Sequence, residues 1–318
     1  MQVHCYSFFR LLLFVLIFQI NSLQAQEITR VIVSTDIGGD DPDDFQSMVH
    51  FLLYADRFEI EGLISSPPKS GRAKHIKEAL TTYAMDFPKL KKKGKFPSPK
   101  KLEKVTKQGA TDAQISAKPT LYSEGAAWLV KQAKKKDTRP LYILVWGSIT
   151  DVAEAVHHEP SIKEKIRVYS IGSWNTRHDS LARNYLYEQH PDLWWIESNT
   201  TFRGMYMGGY QSDDYGNLSF IEEHVKDYGA MGELFWNKKK DIKMGDTPSV
   251  LYLLHGNSDN PEGESWGGSY IKTDHGPNYW TDNPDSSLTE NNRQGAKTVN
   301  KWRKAYLDDW KKRMLWLK

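Results

Sequence analysis

The chain has 318 residues with 43 Lys+Arg against 40 Asp+Glu, a formal net charge of +3, which excludes the strong basic excess of a nucleic-acid-binding surface. The length suits one large domain with a substantial core. The single cysteine, Cys5, lies ahead of an apolar N-terminal stretch, so disulfide frameworks and thiolate chemistry are excluded from the rest of the chain. Residues 1–25 read as a signal peptide: Arg10 in a weakly basic start, an apolar run from Leu11 to Ile20 broken only by Gln19, and Ala25 at the expected cut. That run is shorter than the roughly 20 residues that span a bilayer. The expectation is an exported protein, periplasmic or extracellular, with no membrane span after processing and one domain over residues 26–318.

Arg30 to Ser34 is an apolar run that predicts a buried strand. Asp43 to Tyr54 then places Phe45, Met48, Val49 and Leu52 at helical spacing. Phe58 to Ser65 predicts a second strand and His75 to Tyr83 a second helix, with Pro67, Pro68 and Gly71 as punctuation between them. Phe87 to Pro119, rich in Lys, Pro and Gly, predicts an exposed excursion. Ser123 with Glu124 opens a helix running to Lys136, Leu141 to Trp146 predicts a buried strand, Thr150 to His157 a helix, Ile166 to Ile171 a strand, and Leu193 to Ile196 another. This alternation predicts an α/β fold: a mostly parallel sheet, Rossmann-like, covered by helices on both faces. From position 200 the pattern loosens into Gly- and Asn-rich loops, until Asp246 or Thr247 caps a helix through Val250 to Leu254. Near the end, Trp302, Tyr306, Trp310 and Met314 recur every four residues and predict a last helix docked on the sheet.

In such sheets ligands sit beyond the carboxyl ends of the strands. Three turns fall there: the acidic segment Asp36-Ile-Gly-Gly-Asp-Asp-Pro-Asp-Asp44, Trp146 to Thr150, and Gly172 to Asn175. Five carboxylates in nine residues repel one another, and a hard divalent cation, Ca2+ or Mg2+, is the simplest compensation. Asp43 and Asp44 also suit the first turn of a helix, where negative charge favours the macrodipole, and the expectation gives them no chemistry. The basic runs at Lys91, Lys134 and Lys238 read as solvated faces, so no nucleic-acid partner is expected. The 11 Trp and 16 Tyr exceed what a plain core requires, and flat rings suit the apolar faces of sugars.

Ser34-Thr-Asp-Ile-Gly-Gly-Asp-Asp41 resembles the aspartate motif of nucleoside hydrolases. Trp146-Gly-Ser-Ile-Thr-Asp-Val-Ala153 resembles their central turn, and Gly245-Asp246 falls where they carry His-Asp before a helix. The longer segments around Asp41 and Asp246 are similar to the nucleoside-hydrolase-like domain of secreted bacterial proteins of the cellulose-binding Sde-type family. The resemblance implies a Ca2+ ion held by Asp36, Asp41, the Trp146 carbonyl and Asp246. It implies Asp36 as the base on water, Asp40 on a sugar hydroxyl, and further sugar contacts from Asn175 and Asn184. An all-oxygen site of this kind suits Ca2+, and a carboxylate beside an acidified water suits hydrolysis of a glycosidic bond, N- or O-linked.

The chain departs from the family pattern at Gly245, where histidine is usual, and at Ile37, where proline is usual. A leaving-group acid would then have to come from elsewhere, with His255, Asp259 and Glu262 as downstream candidates. An Asp-x-Asp phosphatase is disfavoured because Ser34 stands where its nucleophile would be. Two readings follow: a Ca2+-dependent hydrolase of a sugar or small glycoside, or a catalytically silent carbohydrate-binding protein that keeps the metal and sugar site. A homo-oligomer is compatible with either.

Overall fold

A computed structural model describes residues 28–68 and 71–318, so the proposed signal peptide lies outside the described residues. Eight strands form one sheet: β1 (Thr29–Thr35), β2 (Phe58–Ser65), β3 (Thr106–Gln108), β4 (Leu141–Val145), β5 (Ile166–Ile171), β6 (Trp195–Ser198), β7 (Tyr270–Lys272) and β8 (Tyr279–Asp282). Their order across the sheet is β3-β2-β1-β4-β5-β6-β8-β7. Every pair is parallel except the edge pair of β7 with β8.

Strand periodicity divides the apolar residues between two cores. Val31 and Val33, Tyr142 and Leu144, and Tyr169 and Ile171 face one side. Ile32, Ile143 with Val145, and Val168 face the other. The first core is closed by the helices Asp43–Leu53, Ala73–Leu90, Thr247–Leu254 and Arg303–Met314, the second by Glu124–Ala133, Thr150–His158 and Ser180–Gln189. The predicted α/β architecture with both faces covered is therefore the observed one. Between β1 and β2 the register slips at Val31/Ile32, leaving Glu61 as the extra residue of a bulge. Its buried carboxylate takes two bonds from buried Arg30, at 3.1 and 2.9 Å, and Arg30 also reaches the carbonyls of Gln132 and Arg139.

Three strands depart from the expectation. β3 lies inside the segment read as an excursion, and β7 and β8 lie in the region read as loops. Each has only three or four residues at the sheet margin, too short for alternation to register. The expected strand over Leu193–Ile196 begins two residues later. The C-terminal stripe is buried from Tyr306 to Met314, but Trp310 packs on the helical layer, its ring 5.5 Å from His50, 5.3 Å from Phe220 and 5.5 Å from Phe235. Tyr54, at the end of the helix Asp43–Leu53, also donates to Asp309 at 2.7 Å. The last helix thus clamps the helix whose first turn forms the site below.

Because Trp310 is fully buried among rings, Trp310→Ala leaves a void and should destabilise the fold by about 3–5 kcal/mol. Urea denaturation followed by circular dichroism measures this, and a loss under about 1 kcal/mol would mean the last helix is dispensable to the core.

Candidate functional site

Chain order reverses about the junction of β1 with β4, since β1 leads to β2 on one side while β4 and β5 follow on the other. Such a switch point opens a crevice at the strand ends. A cavity of about 370 Å³ occupies it. Asp36 follows β1, Trp146 follows β4, and Gly172, Trp174 and Asn175 follow β5, and all line the cavity with Asp40, Asp41, Asp43, Asp44 and Asp246.

Local geometry explains how Asp36 is placed. Gly39 N donates to Asp36 O at 2.8 Å, closing a turn in which Gly38 holds φ +87°, a value that favours glycine. Gly147 is equally constrained, because a Cβ there would stand 2.7 Å from Asp36 Cβ. The turn after β1 is thereby packed directly on the turn after β4.

Asp43 and Asp44 occupy the first turn of the helix Asp43–Leu53, as expected, but they are buried inside the cluster. Asp44 accepts from Thr35 Oγ1 at 2.5 Å and lies within hydrogen-bonding reach of Asp36. Asp43 accepts from Gly245 N at 3.1 Å. Asp246, just ahead of the helix Thr247–Leu254, is buried, and its Oδ2 has no hydrogen-bond partner. Burial first, and then neighbouring negative charge, pushes Asp36 and Asp43 up to about 7 and raises Asp44 and Asp246 well above the usual carboxylate range.

The other expected site residues are placed differently. Asp41 has a side chain 45% exposed and is ion-paired with Lys243, so it stands on the rim and Asp44 takes the buried position beside Asp36 and Asp246. Asp40 lines the cavity and is exposed. Asn175 donates to the Trp146 carbonyl at 2.7 Å and to the Ile171 carbonyl at 3.1 Å, which fixes the carbonyl expected to face a metal. Asn184 lies on the exposed face of the helix Ser180–Gln189, outside the cavity lining. Of the acid candidates, His255 stacks on Trp266 at 4.7 Å and Asp259 pairs with Arg167 at 3.0 Å. Neither of them, nor Glu262, lines the cavity.

Several lining residues escaped the sequence reading. Trp174 and Arg177 flank Asn175 on the short helix Trp174–His178, and Phe202, Arg203 and Tyr206 come from the segment after β6. The turn after β5 was visible as a strand end, so Trp174 and Arg177 had a positional signal. Arg203 and Tyr206 had none, because their segment carries no regular spacing.

The donor set fits a hard cation: all atoms are oxygens, three buried carboxylates gather with the half-buried Asp36, and one carboxylate oxygen is orphaned. Among the described residues, no group of three His, Cys, Asp or Glu side chains already stands in a coordinating arrangement. Asp36 and Asp44 lie within hydrogen-bonding reach of each other, and burial raises the pKa of both.

The fold has counterparts among known proteins. A nucleoside hydrolase-related protein from Saccharophagus degradans associated with carbohydrate metabolism superposes with a TM-score of 0.72 at 23% identity, covering 91% of this chain and 72% of that one. A plant nucleoside hydrolase gives 0.55 at 12% identity over 90% of this chain and 99% of its own. The inosine-uridine preferring nucleoside hydrolase of Bacillus anthracis gives 0.53 at 15%, over 90% and 99%. At such identities the likeness is one of fold. No curated protein matches the sequence significantly. The sequence profile described as "Cellulose-binding Sde182, nucleoside hydrolase-like domain" matches residues 30–270, well over half of the chain, and the protein belongs to that family.

Proposed function

We propose that this protein is an exported hydrolase that cleaves a glycosidic bond, N- or O-linked, in a sugar held at the acidic cavity with Ca2+. Membership in a cellulose-binding, nucleoside hydrolase-like family supports a carbohydrate-related role. The observation that carries the reading is the orphaned Asp246 Oδ2, buried beside Asp36, Asp43 and Asp44. Carboxylates gathered without compensation raise one another's pKa, and a divalent cation is the ligand that relieves all of them together. Asp36, Asp44, Asp246 and the Trp146 carbonyl would hold it, with Asp41 able to join only by giving up Lys243. When bound, such an ion supplies positive charge that orients sugar hydroxyls and acidifies a nearby water.

The chain's own residues then divide the work. Asp36 takes the proton from water as its oxygen attacks the anomeric carbon and the bond to the leaving group breaks. Asp43 and Asp40, which line the cavity, would accept from sugar hydroxyls. Asn175 holds the Trp146 carbonyl in position. Negative charge around the anomeric carbon stabilises an oxocarbenium-like state. A second reading, a silent carbohydrate binder, is favoured by one observation: residue 245 is glycine, and His255, Asp259 and Glu262 stand away from the cavity.

Hydrolysis of a broad panel of glycosides and nucleosides, with Ca2+ or with chelator, separates these readings. Turnover is expected with Ca2+, and Asp36→Asn should lower kcat by about 10²–10⁴. Binding without turnover of any compound would leave the binder. Calorimetry should find that Asp44→Asn and Asp246→Asn each weaken Ca2+ at least roughly tenfold, whereas Asp41→Asn costs less. An Asp41→Asn loss as large as theirs would overturn the ligand set named here.

The raised carboxyl pKa values also fix a pH dependence. Asp36 and Asp43, with folded values of about 7 against 3.8 for the ordinary carboxyl, hold protons that the unfolded chain releases. Their contribution is therefore most favourable below about pH 4 and is lost as pH rises through 7. In chelator, Tm should be lower at pH 8 than at pH 5, and Ca2+ should narrow the gap. A Tm in chelator that does not fall across this range would contradict an uncompensated cluster.

Export is tested separately. Protein recovered outside the cytoplasm should begin at Gln26, and retention of residues 1–25 would contradict processing. Among the described residues, no helix is long and apolar enough to cross a membrane.

A further inference from the structure

The cavity that holds the aspartates is also lined by Arg203 and Arg177, whose charge no carboxylate ion pair answers among the described residues. Arg203, in the short helix Thr201–Met205, donates through Nη1 to the Tyr206 hydroxyl at 3.0 Å and through Nη2 to Ser173 Oγ at 3.3 Å. Both acceptors are neutral. Its Nε is buried without a partner, and its guanidinium carbon lies 5.0 Å from the centre of the Phe202 ring. Arg177 lines the same cavity, exposed, and among the described residues neither arginine makes an ion pair. A third guanidinium, Arg293, is near enough to Tyr206 to bias its hydroxyl and also has a buried Nε without a partner.

This is not how the fold treats its other buried arginines. Arg30 is paired with Glu61, Arg183 with Glu197, and Arg313 with Asp56. Arg303 is saturated by the carbonyls of Met205 and Tyr215 and by Asn217. Moreover, the hydroxyl that receives Arg203 belongs to Ser173, held at φ +60°, a conformation that costs a non-glycine residue and persists only when its surroundings impose it. A partly buried guanidinium with spare donors gains most from an incoming anion, through charge-assisted and often bidentate bonds.

We propose that the ligand of this cavity carries an anionic group, a carboxylate or a phosphate, bound by Arg203 with help from Arg177 while its sugar hydroxyls face the aspartates. The proposal rests on the sugar-binding reading above and deepens it: the substrate class is an acidic sugar or an acidic glycoside. Groups of both charge signs on one lining would fix how the molecule lies in the cavity. The arginines also offset part of the repulsion that an anion would meet from the aspartates.

Calorimetry on the processed chain with saturating Ca2+ tests this with paired probes: glucose against glucuronate and glucose 6-phosphate, and ribose against ribose 5-phosphate. An anionic member should bind about tenfold or more tightly than its neutral partner, with the margin shrinking as salt is raised. Arg203→Gln should abolish that margin and Arg177→Gln should reduce it. Arg177 is exposed and unpaired, so its variant keeps the test valid if Arg203→Gln disturbs the fold. The uronate and phosphate arms identify which anion is preferred. Neutral sugars binding as tightly as their anionic partners, or a preference that survives both substitutions, would overturn the anion site and leave the sugar-binding reading standing. Failure of every probe to bind would overturn both.

Discussion

Three buried carboxylates and the half-buried Asp36, gathered at the carboxyl edge of one sheet with little positive charge in contact, are the constraint to which the surrounding structure answers. Removing a charged group from water costs several kcal/mol unless it is paired, neutralised or held by a metal. The fold meets that requirement at Arg30 and Glu61, at Arg183 and Glu197, and at Arg313 and Asp56. It leaves the requirement unmet at Asp36, Asp43, Asp44 and Asp246, where burial pushes Asp36 and Asp43 up to about 7 and raises Asp44 and Asp246 well above the usual carboxylate range. Lys243 relieves only Asp246, and only in part. Its ammonium is engaged by Asp41 on the rim, and burial lowers its pKa against the opposing field of Asp246. A site that expensive, surrounded by structural pairs that are complete, is consistent with a ligand supplying the missing charge.

Holding the cluster together depends on backbone more than on side chains. Asp36 comes from the end of β1, Asp43 and Asp44 from the first turn of the next helix, and Asp246 from a segment some two hundred residues later. Glycines let these segments touch. Gly38 supplies the left-handed step that turns the chain after Asp36, and Gly147 lets the turn after β4 lie against it. On the far side, Trp310 and Asp309 press the last helix against the helix Asp43–Leu53. The chain's C-terminal helix thereby helps set the position of Asp43 and Asp44, although it contributes nothing to the cavity lining.

The architecture was legible because long buried strands alternate their faces. Val31, Ile32 and Val33 divide between the two cores as a period of two requires. The short strands β3, β7 and β8 were not, since three or four residues carry no such pattern. At the site, Asp36 and Asp246 were found by their context at a strand end and a helix start. The paired aspartates were harder. Asp40-Asp41 and Asp43-Asp44 are both adjacent acidic pairs, and the sequence cannot say which is buried. The winding of the helix decides it: starting at Asp43, it turns the second pair inward and leaves Asp41 to Lys243. Helix-start position and cluster membership are thus compatible roles for the same two residues, and assigning the first did not exclude the second.

Residue 245 links that pair to the question of catalysis. The Gly245 amide donates to Asp43 Oδ2 at 3.1 Å, and a Cβ at 245 would stand 3.0 Å from the same oxygen. A side chain here must crowd the carboxylate that the backbone now holds, so glycine at 245 and the buried position of Asp43 belong to one arrangement. The cavity wall beside it is then furnished by Phe202, Arg203, Tyr206 and Lys243. Under the hydrolase reading proposed above, the Tyr206 hydroxyl and the cationic groups of Lys243, Arg203 and Arg177 would stabilise a departing anion. Residue 245 has nothing with which to do so. An anionic ligand would engage the same wall. Binding of its charge and departure of its leaving group would therefore be coupled through one set of side chains, an economy that a neutral nucleoside would not require.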